Sequence, residues 1–88
     1  MRETGFVNIS GIQYDELPMN PEVLDLVFFI SSGGEIPPVK LQKTKTGWKL
    51  KDGRHRLAAY KLLGKEKIFA KYSIYEKRTI NTTASVFL

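Results

Sequence analysis

The stretch Leu50-Lys51-Asp52-Gly53-Arg54-His55-Arg56-Leu57-Ala58-Ala59-Tyr60-Lys61-Leu62-Leu63-Gly64 decides how this 88-residue chain is read. Trp48 to Lys51 alternates apolar with polar residues, as a half-buried strand does. From Arg54 to Leu63 the pattern becomes helical, with Leu57, Ala58, Ala59, Leu62 and Leu63 on its apolar face and Gly64 as its stop. A helix start carries about half a unit of positive charge on its free amides and favours acids there. This helix opens instead with Arg54, His55 and Arg56, each costing roughly 0.3–1 kcal/mol if nothing neutralises it. Free amides, a glycine that permits close approach and two guanidiniums together suit a phosphate. Asp52 is placed to cap the helix, and to orient His55 or help hold a metal.

Outward from this turn, the rest of the chain supplies a small α+β frame. Phe6 to Ile12 alternates as a first strand. Asn20 caps a helix that has Pro21 at its first position and Glu22 in its first turn, running to about Ser32 before Gly33-Gly34. Residues 23–30 of that helix are apolar except for Asp25, so the helix must be covered on more than one side. Val23, Leu24, Val27 and Phe28 are therefore expected to meet a second copy or a partner protein, the alternative being a thicker contribution to the core. Ile36 to Leu41 reads as a strand begun through Pro37 and Pro38. Thr44-Lys45-Thr46-Gly47 is hairpin chemistry leading back into Trp48–Lys51. Ile68 to Tyr75 is a further strand, and residues 76–88 form a tail in which Ala84–Leu88 can add an edge strand. The order is β-α-β-β-α-β, with two helices packed on a mixed sheet. Residues 1–88 make one domain with its core over about 6–75.

Composition narrows the chemistry. No cysteine is present, which excludes disulfides, thiolate metal sites and thiol catalysis, and a single histidine excludes a histidine-rich metal site. No apolar run reaches the ~20 residues of a membrane helix, and Met1 to Gly5 lacks a signal peptide's apolar core, so the expected location is cytoplasmic. The net charge of +5 is unevenly spread. Residues 1–39 hold one base and six acids (net −5), residues 40–71 eleven bases and two acids (net +9), and residues 72–88 add +1. Such a basic block suits a polyanion. Lys43, Lys45, Lys49 and Lys51 are its candidate nucleic-acid contacts. The bland alternative is a solvated lysine face that keeps a small protein soluble.

The segment from Ile36 to Leu41, the hairpin, the run Leu50–Gly64 and Ile68–Lys71 resemble the ParB/sulfiredoxin superfamily, with Gly53-Arg54-His55-Arg56 falling on its Gly-x-x-Arg motif. The resemblance implies a nucleotide- or DNA-phosphate-binding module of prokaryotic, phage or plasmid type, with Gly53, Arg54, His55 and Arg56 as the phosphate-binding residues. It implies Mg²⁺ with CTP or ATP as the ligands to expect. An enzyme is the alternative: a Mg²⁺-dependent ParB-like nuclease, or a small phosphotransferase or NTP hydrolase. It would use Asp52 and His55 as catalytic groups, Glu35 as a second carboxylate, and Asp52 on the metal. Two departures stand out. The position of the sulfiredoxin cysteine is Arg54, which excludes peroxiredoxin repair by that chemistry, and the first helix offers Glu22, Asp25 and Phe29 where sulfiredoxins present lysine and hydroxyl groups to ATP. ParB proteins also carry a helix-turn-helix and a dimerisation domain, so the resemblance implies either a free-standing module or one that borrows its DNA reader from a partner.

Overall fold

A computed structural model describes residues 2–73, with side chains from Glu3 onward. The strand that the sequence suggests over Phe6–Ile12 is two strands. β1 (Arg2–Asn8) ends where a 3-10 turn over Ile9–Gly11 begins, and β2 (Ile12–Gln13) follows. Apolar burial marks the break, since Val7, Ile9 and Ile12 point inward and the period of two fails after Ile9. The turn is tied down by Ile9 N–H donating to Glu66 O at 2.8 Å. It also fits under the hairpin at Gly47, whose φ is +146° and where a Cβ would lie 2.6 Å from Gly11 O. Only glycine brings the two chains that close.

α1 (Pro21–Ser31) begins as the sequence indicates, with Asn20 Oδ1 accepting from Val23 N–H at 3.3 Å and proline in the first turn. β3 (Val39–Thr44) starts three residues later than expected, because Ile36, Pro37 and Pro38 stay outside the ladder, two of them without an N–H to donate. β4 (Gly47–Asp52) returns antiparallel to β3, α2 (Arg54–Leu62) follows one residue later, and β5 (Lys67–Ser73) completes the sheet. The expected ending of that last strand at Tyr75 and the edge strand at Ala84–Leu88 lie outside the described residues.

The five strands run in the order β1-β5-β3-β4-β2. β1 is antiparallel to β5, β5 parallel to β3, and β4 parallel to β2. The sheet is thus mixed, with helices on one face, and the domain is α+β. Val7, Val39, Leu41, Ile68 and Ala70 line the helix side, and Leu57 of α2, fully buried, lies among them. Ala58 and Ala59 turn towards α1 and are small enough to let Val23 pack directly on them. Two members of the face expected to meet a partner are therefore core residues: Val23 is 1% exposed and Val27 packs beside it, which satisfies half of the helix internally. Leu24 (55% exposed) and Phe28 (72%) do face outward.

Leu57→Ala should cost about 2–5 kcal/mol, because it opens a cavity where the sheet and α2 meet. Leu24→Ala should stay within about 0.5 kcal/mol of the parent, as surface changes usually do. Urea denaturation of the two variants checks the ranking, and comparable losses would place Leu24 in the core.

Candidate functional site

The passage from β4 into α2 is made by Gly53 in a left-handed conformation, φ +111°. A Cβ there would lie 2.7 Å from Val39 Cγ1, so conformation and space both require glycine. Asp52 does not cap the helix. Gly53 is the N-cap residue, and no side chain caps it. Helix geometry leaves the first-turn amides of Arg54, His55 and Arg56 without intrahelical acceptors. α1 differs, since its start is closed by the Asn20 side chain.

The three cations of the first turn have separate fates. Arg56 turns back: its Nη1 donates to Pro38 O at 2.8 Å and to Pro37 O at 3.2 Å, and its Nη2 meets Asp52 Oδ2 at 3.3 Å. These carbonyls belong to the segment before β3, so Arg56 fastens that segment to α2. Asp52 pairs with Arg56 one turn away and has no cap to make. His55 Nε2 lies 3.2 Å from Asn20 Nδ2 and 3.6 Å from Glu22 Oε1. Asn20 uses its oxygen on Val23 N–H, so its amide N–H₂ faces His55 and donates to Nε2. That assignment places the proton of the neutral ring on Nδ1. Arg54 is exposed and makes no ion pair among the described residues, which leaves it the free guanidinium of the turn.

These residues line a cleft of about 690 Å³, within the usual range of small-ligand sites. Its walls are Tyr14 and Asp15, Glu22 and Leu26 of α1, Ile36 and Pro37, and the run Leu50–Arg56. The structure thus gathers Asp52, Gly53, Arg54, His55, Arg56 and Lys51 at one place. Glu35 is exposed and does not line the cleft, so it makes no carboxylate pair with Asp52 there. Among the described residues no three His, Asp or Glu side chains converge as a metal site. The four lysines are not gathered at the cleft. Lys43 Nζ lies 4.8 Å over the Trp48 ring, Lys45 sits at the exposed hairpin tip, and Lys49 pairs in register with Gln42 and Gln13 on the helix-free face of the sheet. Only Lys51 reaches the cleft. Tyr14, Asp15 and Asn20 are site neighbours that sequence reasoning passed over. The Asn20-Pro21 helix start was visible, but its convergence with the Gly53 turn, thirty-odd residues later, is tertiary.

The amino-acid sequence matches no family model and none of the curated proteins. The fold does match solved structures. Sulfiredoxin from Arabidopsis thaliana superposes with a TM-score of 0.72 at 20% identity over 88% of both chains. The C-terminally truncated chromosome-partitioning protein ParB from Caulobacter crescentus, complexed with CTP-γ-S, gives 0.68 at 13% identity, over 84% of this chain and 46% of that one. A pNOB8-like ParB N-domain gives 0.65 at 22% identity, over 82% of this chain and 30% of that one. The chain therefore spans less than half the length of the ParB structures it matches, and most of the sulfiredoxin.

Gly53→Ala should destabilise the protein by roughly 2 kcal/mol, combining left-handed strain with the Val39 clash. Arg56→Ala should also lower stability, by about 1–3 kcal/mol, since it strands two carbonyls and Asp52. Thermal melts check both. Arg56→Lys restoring full stability would mean that the forked contact to Pro37 and Pro38 is dispensable.

Proposed function

We propose that the chain, which shares its fold with sulfiredoxin and the ParB N-domains, is a ParB-like module that binds nucleotide phosphates at the start of α2. The observation that carries this reading is the uncapped turn: Gly53 exposes the amides of residues 54–56 to a cleft of about 690 Å³, and Arg54 stands beside them with no ion-pair partner among the described residues. Oriented amides, the helix dipole and a guanidinium are the groups that recognise a phosphate. Arg56 supports the site at one remove, by holding the Ile36–Pro38 wall in place, and Lys51 adds charge at the rim.

Asp15 and Glu22 on the same cleft oppose a bare polyanion. They suit a triphosphate that brings Mg²⁺ with it, because the cation offsets their charge and they offer it oxygen ligands. CTP is the first nucleotide to try, given the CTP-γ-S complex of the Caulobacter ParB, and ATP is the second. Binding is preferred to turnover, because metal-assisted phosphoryl chemistry needs carboxylates converging on the ions and Asp52 is already paired with Arg56.

Titration calorimetry with CTP and ATP, with and without Mg²⁺, tests the reading. Arg54→Ala should weaken triphosphate binding about tenfold or more, the size expected for a charge-assisted hydrogen bond, without lowering the melting temperature. Lys45→Ala, at the hairpin tip, should change it less than about twofold. Equal losses from the two variants, or no binding of either triphosphate at millimolar concentration, would overturn the assignment.

A further inference from the structure

The face of the sheet turned away from the helices has its own composition. Strand alternation places Thr4, Phe6 and Asn8 of β1, Lys67, Phe69, Lys71 and Ser73 of β5, and Lys40 and Gln42 of β3 on that side. The register brings them into rows. Phe6 lies opposite Phe69, and in the next row Thr4, Lys71 and Lys40 are neighbours across three strands. Gln42 and Lys49 follow beside Ser73. Lys40, Lys51, Lys71, Gln42 and Ser73 surround a shallow depression of about 450 Å³ in this face.

Two features of the face are unusual for a surface with no work to do. Phe6 and Phe69 sit edge to face with ring centroids 5.2 Å apart, yet Phe6 is 69% exposed and Phe69 37%. Aromatic rings on an open sheet face forgo the burial that would normally hold them inside. Around them, the inward-pointing rows of the same strands are mostly apolar, whereas the outward positions carry four lysines (Lys40, Lys49, Lys67, Lys71), of which Lys40 and Lys71 are register partners. None of these lysines forms an ion pair among the described residues, and the one carboxylate at the edge of the face, that of Asp52, is occupied by Arg56. Lysines side by side, as Lys40 and Lys71 are in register, repel one another unless an anion lies between them.

We propose that this face binds single-stranded nucleic acid, its bases stacking on Phe6 and Phe69 and its phosphates crossing Lys71, Lys40 and Lys51. Charge complementarity selects a polyanion, and the exposed ring pair selects unpaired bases over a duplex, whose bases are already stacked. A second copy of the chain is disfavoured on this face, because two identical lysine rows would meet. The site shares Lys51 with the α2 cleft and stands whether or not the cleft takes a nucleotide.

Fluorescence anisotropy with labelled 12-residue oligo-dT, oligo-rU and a 12-base-pair DNA duplex tests it on the full chain. The single strands should bind more tightly than the duplex, with a log–log salt slope of about −2 for three neutralised phosphates. Phe6→Ala and Phe69→Ala should each weaken single-strand binding roughly 5- to 100-fold. Phe6→Ala is the cleaner of the two, its ring being the more exposed, and melting curves of both show whether folding is intact. The pair Lys40→Gln and Lys71→Gln should lower affinity and flatten the salt slope, whereas Lys65→Ala, which removes one charge elsewhere, should leave both within about twofold. Arg54→Ala should weaken triphosphate binding about tenfold or more but keep the oligonucleotide, which separates this proposal from the nucleotide reading. Tighter binding of the duplex, unchanged affinity in a folded Phe6→Ala, or a dimer through this face that oligonucleotide does not dissociate would each overturn it. Preference between oligo-dT and oligo-rU reports whether a 2′-hydroxyl is read, and equal binding of the two supports a stacking site.

Discussion

Gly53 packed on Val39 is the contact on which the rest depends. A left-handed residue with no Cβ lets β4 turn into α2 within a single position, at 2.7 Å from where a side chain would strike Val39. That turn sets the direction in which α2 leaves the sheet, and so places Leu57 among Val39, Leu41, Ile68 and Ala70. Ala58 and Ala59 are then presented to α1, which adds Val23 to the interior. The same turn deprives the helix of a capping side chain. A residue that capped it would need a β-region backbone, which the close approach to Val39 does not allow. Packing and ligand chemistry thus share one cause.

The electrostatic oddity of the helix start is resolved unevenly, and the unevenness is informative. Arg56 is neutralised by Asp52 and by two carbonyls that proline leaves free of ladder duty. His55 is held by Asn20, the residue that caps the other helix. Arg54 alone has no ion-pair partner among the described residues. An acid or a serine at this position would stabilise the helix start. On the nucleotide reading, the cost of Arg54 falls on the free state and is recovered when a phosphate docks.

Much of this frame was legible in the sequence because its signals are local. The Asn20-Pro21 helix start, the hairpin at Gly47 and the Gly53 turn each rest on residues a few positions apart. The failures share a different character. Phe6–Ile12 read as one strand because alternation over a short window cannot see a strand leaving one sheet edge for the other. Asp52 read as a cap because its position fits, but Arg56, one helical turn on, competes for the carboxylate and wins. Val23 and Val27 read as partner-facing because an all-apolar helix has no sequence signal that separates inner from outer sides. Within the site, Gly53 to Arg56 were identifiable from their conflict with the helix dipole and Glu22 from the resemblance, whereas Asp15 comes to the cleft only through topology, and Asp25 and Phe29, named with Glu22, do not line it.

The two proposed anion sites meet at one residue. Lys51 borders both the α2 cleft and the depression on the open sheet face. The pairing of Lys40 with Asp52, followed by Leu41 with Leu50, leaves Lys51 as the extra residue of a bulge, which frees it from the strict alternation of its neighbours. One ammonium cannot neutralise a phosphate on each side at once. On the nucleotide and single-strand readings taken together, filling the cleft withdraws one cation from the open face, leaving Lys40 and Lys71 to hold the strand. The resulting antagonism is reciprocal, as any coupling of two binding equilibria must be, and its size is bounded by the contribution of a single lysine–phosphate contact. A bulge in β4 is thus sufficient to link the two faces of a sheet without any movement of the core between them.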